Sequence, residues 1–231
     1  MSSARSVVHA KNLKIGYSKK AVLAQIDNLE IQQTEIVSIT GESGLGKTTF
    51  LKTIANLVKP IEGTLKTFDS AITDVRGRIG YIPQKLGLIK HETVFSNVLA
   101  GAICNESIWR SITGFHEEKI IDRVQEAIKQ MNLEDKIDES IKRLSGGQQR
   151  RVAIARTIAQ NPELILADEF LSELDEKTAE NVWKTMLDYV HANSITLIIV
   201  EHNTGRAQMA ERCFKLEKNE KLNCSILKEN N

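Results

Sequence analysis

The sequence carries almost no net charge. Its 31 Lys and Arg side chains against 30 Asp and Glu leave a formal +1, so it lacks the basic bias by which nucleic-acid binders gather phosphate, and nucleic acid is excluded as the expected partner. Two short basic clusters, Lys19-Lys20 and Arg150-Arg151, have neutral neighbours and read as solvated faces. Cysteine is scarce as well. Cys104, Cys213 and Cys224 are odd in number and lack metal-ligand spacing, which fits a reducing compartment rather than a disulfide framework. Long apolar runs are missing: the longest, such as LIIV at 197–200, are strand-sized, whereas a bilayer span takes roughly 20 residues. The N-terminus has no apolar stretch of signal-peptide length, and no repeats or low-complexity linkers stand out. The expectation is a soluble chain, or one held at a membrane only by a partner. What is present is ordinary for a globular protein: 231 residues, 41% apolar and 26% charged, enough to bury a core as one large domain or two small ones.

Four apolar runs organise the chain: IVSI (36–39), IGYI (79–82), LILA (164–167) and LIIV (197–200). Each is nearly continuous rather than alternating, the pattern of a strand covered on both faces in a parallel sheet. Helical spacing lies between them. Phe50, Leu51, Ile54 and Leu57 share one face before Pro60 and Gly63 break the pattern. Ile120, Ile121, Val124, Ile128 and Met131 recur over 117–131, and Val152, Ala155, Ile158 and Ala159 over 147–159, where Pro162 stops the helix. A further helix is expected over about 176–189. Residues 5–35 and 61–75 read as short strands joined by turns. The reading is an α/β core, an N-terminal β-rich part and a helical segment over about 86–160, within one domain covering 1–231.

Between the first run and its helix lies GESGLGKTT. Gly41, Gly46, Lys47 and Thr48 fit G-x-x-x-x-G-K-[ST]. A loop that wraps a triphosphate must turn its backbone N–H groups inward, and that takes conformations and close approach that side chains would block. The candidate phosphate-binding residues are Gly41, Glu42, Ser43, Gly44, Leu45, Gly46, Lys47, Thr48 and Thr49. The helix behind the loop aims its N-terminal donors at the anion. Lys47 adds a full positive charge, and the Thr48 hydroxyl is a candidate Mg²⁺ ligand. Asp168 and Glu169 end the LILADE strand. A carboxylate held on a rigid buried strand suits orientation of Mg²⁺ (Asp168), and one step further out suits polarisation of an attacking water (Glu169).

The run LSGGQ, Leu144 to Gln148, narrows the reading further. Ser145 is expected as an N-cap that opens a helix with Gly146 and Gly147, a second phosphate site built from donors alone. With these motifs the chain resembles the nucleotide-binding subunit of an ABC transporter over nearly its whole length. The order matches throughout: phosphate loop, a glutamine after a strand (Gln84), LSGGQ, the acidic strand end, and a histidine after the next strand (His202).

The resemblance implies a P-loop NTPase fold of the ABC type: a parallel-sheet core, an N-terminal antiparallel β subdomain and a helical subdomain that carries the signature. It implies ATP and Mg²⁺ as cofactors and hydrolysis of ATP. Two copies would meet head to tail, with Ser145, Gly146, Gly147 and Gln148 of one covering the nucleotide on the phosphate loop of the other. Gln84 would touch metal and water, His202 would hydrogen-bond the γ-phosphate, and Tyr17 would stack on adenine. The SELD segment, Ser172 to Asp175, resembles the loop at the dimer seam. Phe170 and Leu171 stand where the family usually has a proline and a small polar residue, and this departure bears on the orientation of Glu169. The implied partners are transmembrane permease subunits, a second copy of the chain and an extracytoplasmic substrate-binding protein, with the chain peripheral on the cytoplasmic face of the inner membrane. The stretch 97–119, with Trp109, Arg110 and Phe115, resembles the phosphonate-importer branch. Lipoprotein export, a soluble mechanical ATPase and an ATP-holding module without turnover stand as alternatives.

Overall fold

The structure, a computed structural model, describes residues 5–68, 77–105, 118–202 and 204–230. Trp109, Arg110 and Phe115, and residues 69–75 of the expected N-terminal strand region, lie outside the described residues. The chain divides into two compact units, residues 1–75 with 166–169 and 194–231, and residues 76–165 with 170–193.

The first unit is built on a sheet. β1 (Ser6–Ser18) and β2 (Ala21–Gln32) form an antiparallel hairpin through a turn at Lys19-Lys20, and β1 also pairs antiparallel with β4 (Glu62–Thr67). These are not the short strands expected: β1 runs for 13 residues and β2 for 12. Register shifts around Gly16 interrupt the apolar alternation, so no single period of 2 runs the length of either strand. The central strand, β3 (Ile36–Thr40), pairs parallel with β7 (Thr196–Val200) on one side and β8 (Arg212–Asn219) on the other. Flanked on both edges, β3 and β7 are buried almost throughout, which is why they read as unbroken Ile/Val/Leu runs. β8 returns through an antiparallel hairpin to β9 (Cys224–Asn230), which pairs parallel with β2. The order is β4-β1-β2-β9-β8-β3-β7, followed by the C-terminal end of β6 (Leu164–Asp168). α1 (Lys47–Ile54) buries Phe50, Leu51 and Ile54. Leu57, expected on the same face, is 63% exposed. The helix has ended by then, and Asn56 at φ 58° turns the chain away.

The second unit is mainly helical. β5 (Ile79–Ile82) lies beside the start of β6, where the Arg78 carbonyl accepts from the amides of Glu163 and Leu164. α2 (Val94–Ala102), α3 (Glu118–Gln130) and α4 (Gly146–Ala159) pack on one another. α3 buries Ile120, Val124 and Ile128 on a single stripe. The second half of α4 is enclosed nearly all round: Ala153 and Ile154 are buried beside Val152, Ala155 and Ile158, as in a helix set into a core. α5 (Glu176–Ala192) buries Ala179, Val182, Trp183, Met186 and Val190. Phe170 and Leu171 are fully buried, and the Phe170 ring lies 6.4 Å from that of Trp183. Among the described residues no helix is long and apolar enough to cross a membrane.

Candidate functional site

The phosphate loop leaves β3 and enters α1 through three glycines with left-handed backbone, Gly41 (φ 139°), Gly44 (φ 84°) and Gly46 (φ 101°). A Cβ on Gly41 would stand 2.6 Å from the Leu216 carbonyl oxygen, so geometry and space both demand glycine there. Gly46 is the N-cap of α1 and supplies no side-chain cap. The first-turn amides of the helix are therefore not taken up by a capping side chain, as an anion site at a helix start requires. Lys47 folds back over the loop: its Nζ donates to the carbonyls of Gly41 (2.7 Å) and Glu42 (2.9 Å). The residue is only 4% exposed. Burial lowers its pKa, and the nearby carboxylates of Glu169 and Asp168 oppose that shift.

Three residues distant in sequence join this loop within the same unit. The Thr48 hydroxyl donates to Asp168 Oδ1 at 3.0 Å. A hydroxyl and a carboxylate held together are the hard oxygen donors that Mg²⁺ takes, so the residues fit the ion the sequence implies. Glu169 follows β6 at φ 47°, an uncommon backbone region for a residue with a Cβ. Its amide donates to the Val200 carbonyl. Its Oε1 lies 2.7 Å from His202 Nε2, a hydrogen bond in which the imidazole must be the donor. The two candidate catalytic residues, 33 positions apart, are thus in direct contact. Tyr17 stands on β1 with 83% of its surface open, so it is not a packing residue.

The second unit holds the other motif residues. Ser145 caps α4: its hydroxyl accepts from the Gln148 amide (3.3 Å) and the Gln148 side chain accepts from the Ser145 amide (2.9 Å), a reciprocal capping box. A Cβ on Gly147 would meet Thr178 Cγ2 at 2.5 Å, so this glycine lets α4 start close against α5. Asp175 caps α5 by accepting from the Thr178 amide at 3.0 Å. Hydrogen bonds from Thr178 hold its carboxyl below the usual carboxylate range.

One expectation is overturned here. Arg150 is not on a solvated face. It is 5% exposed, and its guanidinium donates to the carbonyls of Gln84 and Ser172, each at 2.9 Å. Arg156, two turns on, donates to the carbonyls of Leu86 (2.6 Å) and Gly87 (2.8 Å). The loop that carries Gln84 is thus fastened by two arginines of α4. Charged residues are rarely buried without partners, and the available signal was that Arg150 and Arg156 share a helix with the apolar run Val152–Ala155. Glu201, beside His202, is also buried, with Arg206 Nη1 3.9 Å from its carboxylate.

The sequence profile of the ABC transporter family matches residues 24–172. The phosphonates import ATP-binding protein PhnC 2 of Halalkalibacterium halodurans is 36% identical over 210 residues, 87% of this chain and 86% of its own. The L-cystine transport system ATP-binding protein TcyN of Escherichia coli is 34% identical over 226 residues, 92% and 87% of the two chains. Among solved structures, the dimeric ATP-binding cassette MJ0796, in a post-hydrolysis state with ADP and phosphate, superposes with a TM-score of 0.76 at 32% identity, covering 91% of this chain and 94% of that one.

Proposed function

The chain belongs to the ABC transporter family as its ATP-hydrolysing subunit, and we propose that it powers uptake of a phosphonate-type solute through a membrane permease. The observation that carries the ATPase reading is the cluster of Lys47, Thr48, Asp168, Glu169 and His202 around one glycine loop. The solute reading rests on the phosphonate-import relative. L-cystine transport is its competitor, because that relative matches with similar identity over more of this chain.

The proposed roles follow from the chemistry of each group. Lys47 exchanges its two carbonyl partners for phosphate oxygens, and its low exposure strengthens that charge interaction. Thr48 and Asp168 would hold a magnesium ion, with Gln84 as a further contact, and the ion would supply neutralisation of the phosphate charge. Glu169 takes the proton of the attacking water. His202 holds that carboxylate before nucleotide binds and exchanges it for a γ-phosphate oxygen as acceptor of its Nε2–H. Tyr17 offers an open aromatic face for adenine. A second copy covers the nucleotide with its own Ser145, Gly146, Gly147 and Gln148. The whole chain acts as one ATPase domain on the cytoplasmic face of the membrane, with the permease and an extracytoplasmic binding protein as partners.

The test is uptake into vesicles that hold the chain with its co-purified permease. ATP-dependent accumulation of a labelled alkylphosphonate, absent for cystine, is the expected result. Accumulation of cystine without phosphonate would reassign the solute. No ATP hydrolysis by the folded complex would refute the reading itself.

A further inference from the structure

We propose that Arg150 is a positioning residue that fixes the Gln84 backbone to the loop ahead of α5, so that these two segments move as one. One guanidinium joins three segments far apart in sequence. It projects from α4, the helix opened by Ser145, and donates through Nη1 to the Gln84 carbonyl and through Nη2 to the Ser172 carbonyl, both at 2.9 Å. Glu173 Oε2 stands 3.5 Å from Nη2. Arginine suits this place because its planar fork reaches two acceptors in fixed directions, whereas a lysine ammonium is a single point donor on a flexible stem.

The neighbourhood separates this role from plain support of the fold. α4 is anchored by Val152, Ala153, Ile154, Ala155 and Ile158, all at most 5% exposed. The same loop is held further along by Arg156 at Leu86 and Gly87. Loss of the Arg150 fork therefore leaves helix and loop tethered and removes its hold on two points, the Gln84 carbonyl and the Ser172 carbonyl. The consequence falls on where the Gln84 side chain is held, not on the phosphate loop.

This inference rests on the proposed role of Gln84, and the experiment separates the two by a double-mutant cycle on the full complex. Arg150→Lys is expected to lower kcat roughly ten- to hundredfold, as misplacement of a positioned group does, with KM for ATP unchanged. In a Gln84→Ala background, which is slow on its own, the same substitution is expected to have no further effect. An equal fall of kcat in both backgrounds overturns the positioning role and leaves Gln84 intact. Unchanged kcat for Arg150→Lys overturns it too. Unchanged kcat for Gln84→Ala removes the role of Gln84 and the inference with it. Circular dichroism checks folding, and Arg150→Gln repeats the cycle should the lysine variant not fold.

Discussion

Gly101→Ala sets two physical effects against each other. Gly101 sits inside α2, where alanine is the better helix former by about 1 kcal/mol. An added Cβ, however, would lie 1.9 Å from the carbonyl oxygen of Arg156 in α4 and 2.9 Å from its carbonyl carbon. Non-bonded heavy atoms settle at about 3.5 Å or more, so the two helices would have to part by roughly 1.6 Å. The obstacle is backbone and cannot swing aside. The cost belongs at the upper end of overpacking, about 3 kcal/mol. The net loss is then about 2 kcal/mol, or a Tm lower by about 4–8 °C for a chain of this size. Urea unfolding followed by far-ultraviolet circular dichroism is the assay, with a lower midpoint at unchanged slope expected. The displaced Arg156 also holds the carbonyls of Leu86 and Gly87, so turnover should drop as well. A variant as stable as the parent would mean that propensity outweighs contact and that α2 and α4 do not meet closely here.

Three further outcomes are expected. Lys47→Ala removes a charged donor worth about 2 kcal/mol, so ATP should bind roughly thirtyfold more weakly by calorimetry; unchanged affinity would contradict the phosphate-loop role. Glu169→Gln should keep ATP binding while phosphate release falls by about 10²–10⁴, with an ATP-dependent dimer visible by gel filtration; near-normal turnover would remove Glu169 as the base. Asp175 has a depressed folded pKa because Thr178 hydrogen-bonds its carboxylate. Its stabilisation is fully present above the ordinary value near about 3.9 and is lost as pH falls through the lower folded value. The Tm advantage over Asp175→Asn should therefore hold at mildly acidic pH and vanish on further acidification, whereas a pH-independent gap would show that the charge plays no part.

Much of this was legible in the residues alone. The four apolar runs became β3, β5, β6 and β7 within a residue at either end; in β3, β6 and β7 the reason is enclosure on both faces, which demands continuous apolarity, whereas β5 alternates half-buried and buried residues. Ser145 caps its helix as its side chain and the following glycines foretold. The sequence pattern shows no β8–β9 hairpin, and β1 and β2 are longer than the short strands that pattern predicts. The bulged β1–β2 hairpin leaves a broken alternation that only the pairing partner resolves.

By itself the sequence determined what depends on neighbours in the chain: a loop whose glycines accept left-handed backbone, the helix behind it with its lysine and threonine, and the capped start of α4. Only the tertiary structure decided that Arg150 is buried and forked between two loops, that Thr48 bonds to Asp168, and that Glu169 leaves its strand at φ 47° to meet His202. The reason is physical. Backbone preference and capping act over a few residues, whereas desolvation and the hydrogen bonds that compensate it are set by whatever the fold brings into contact.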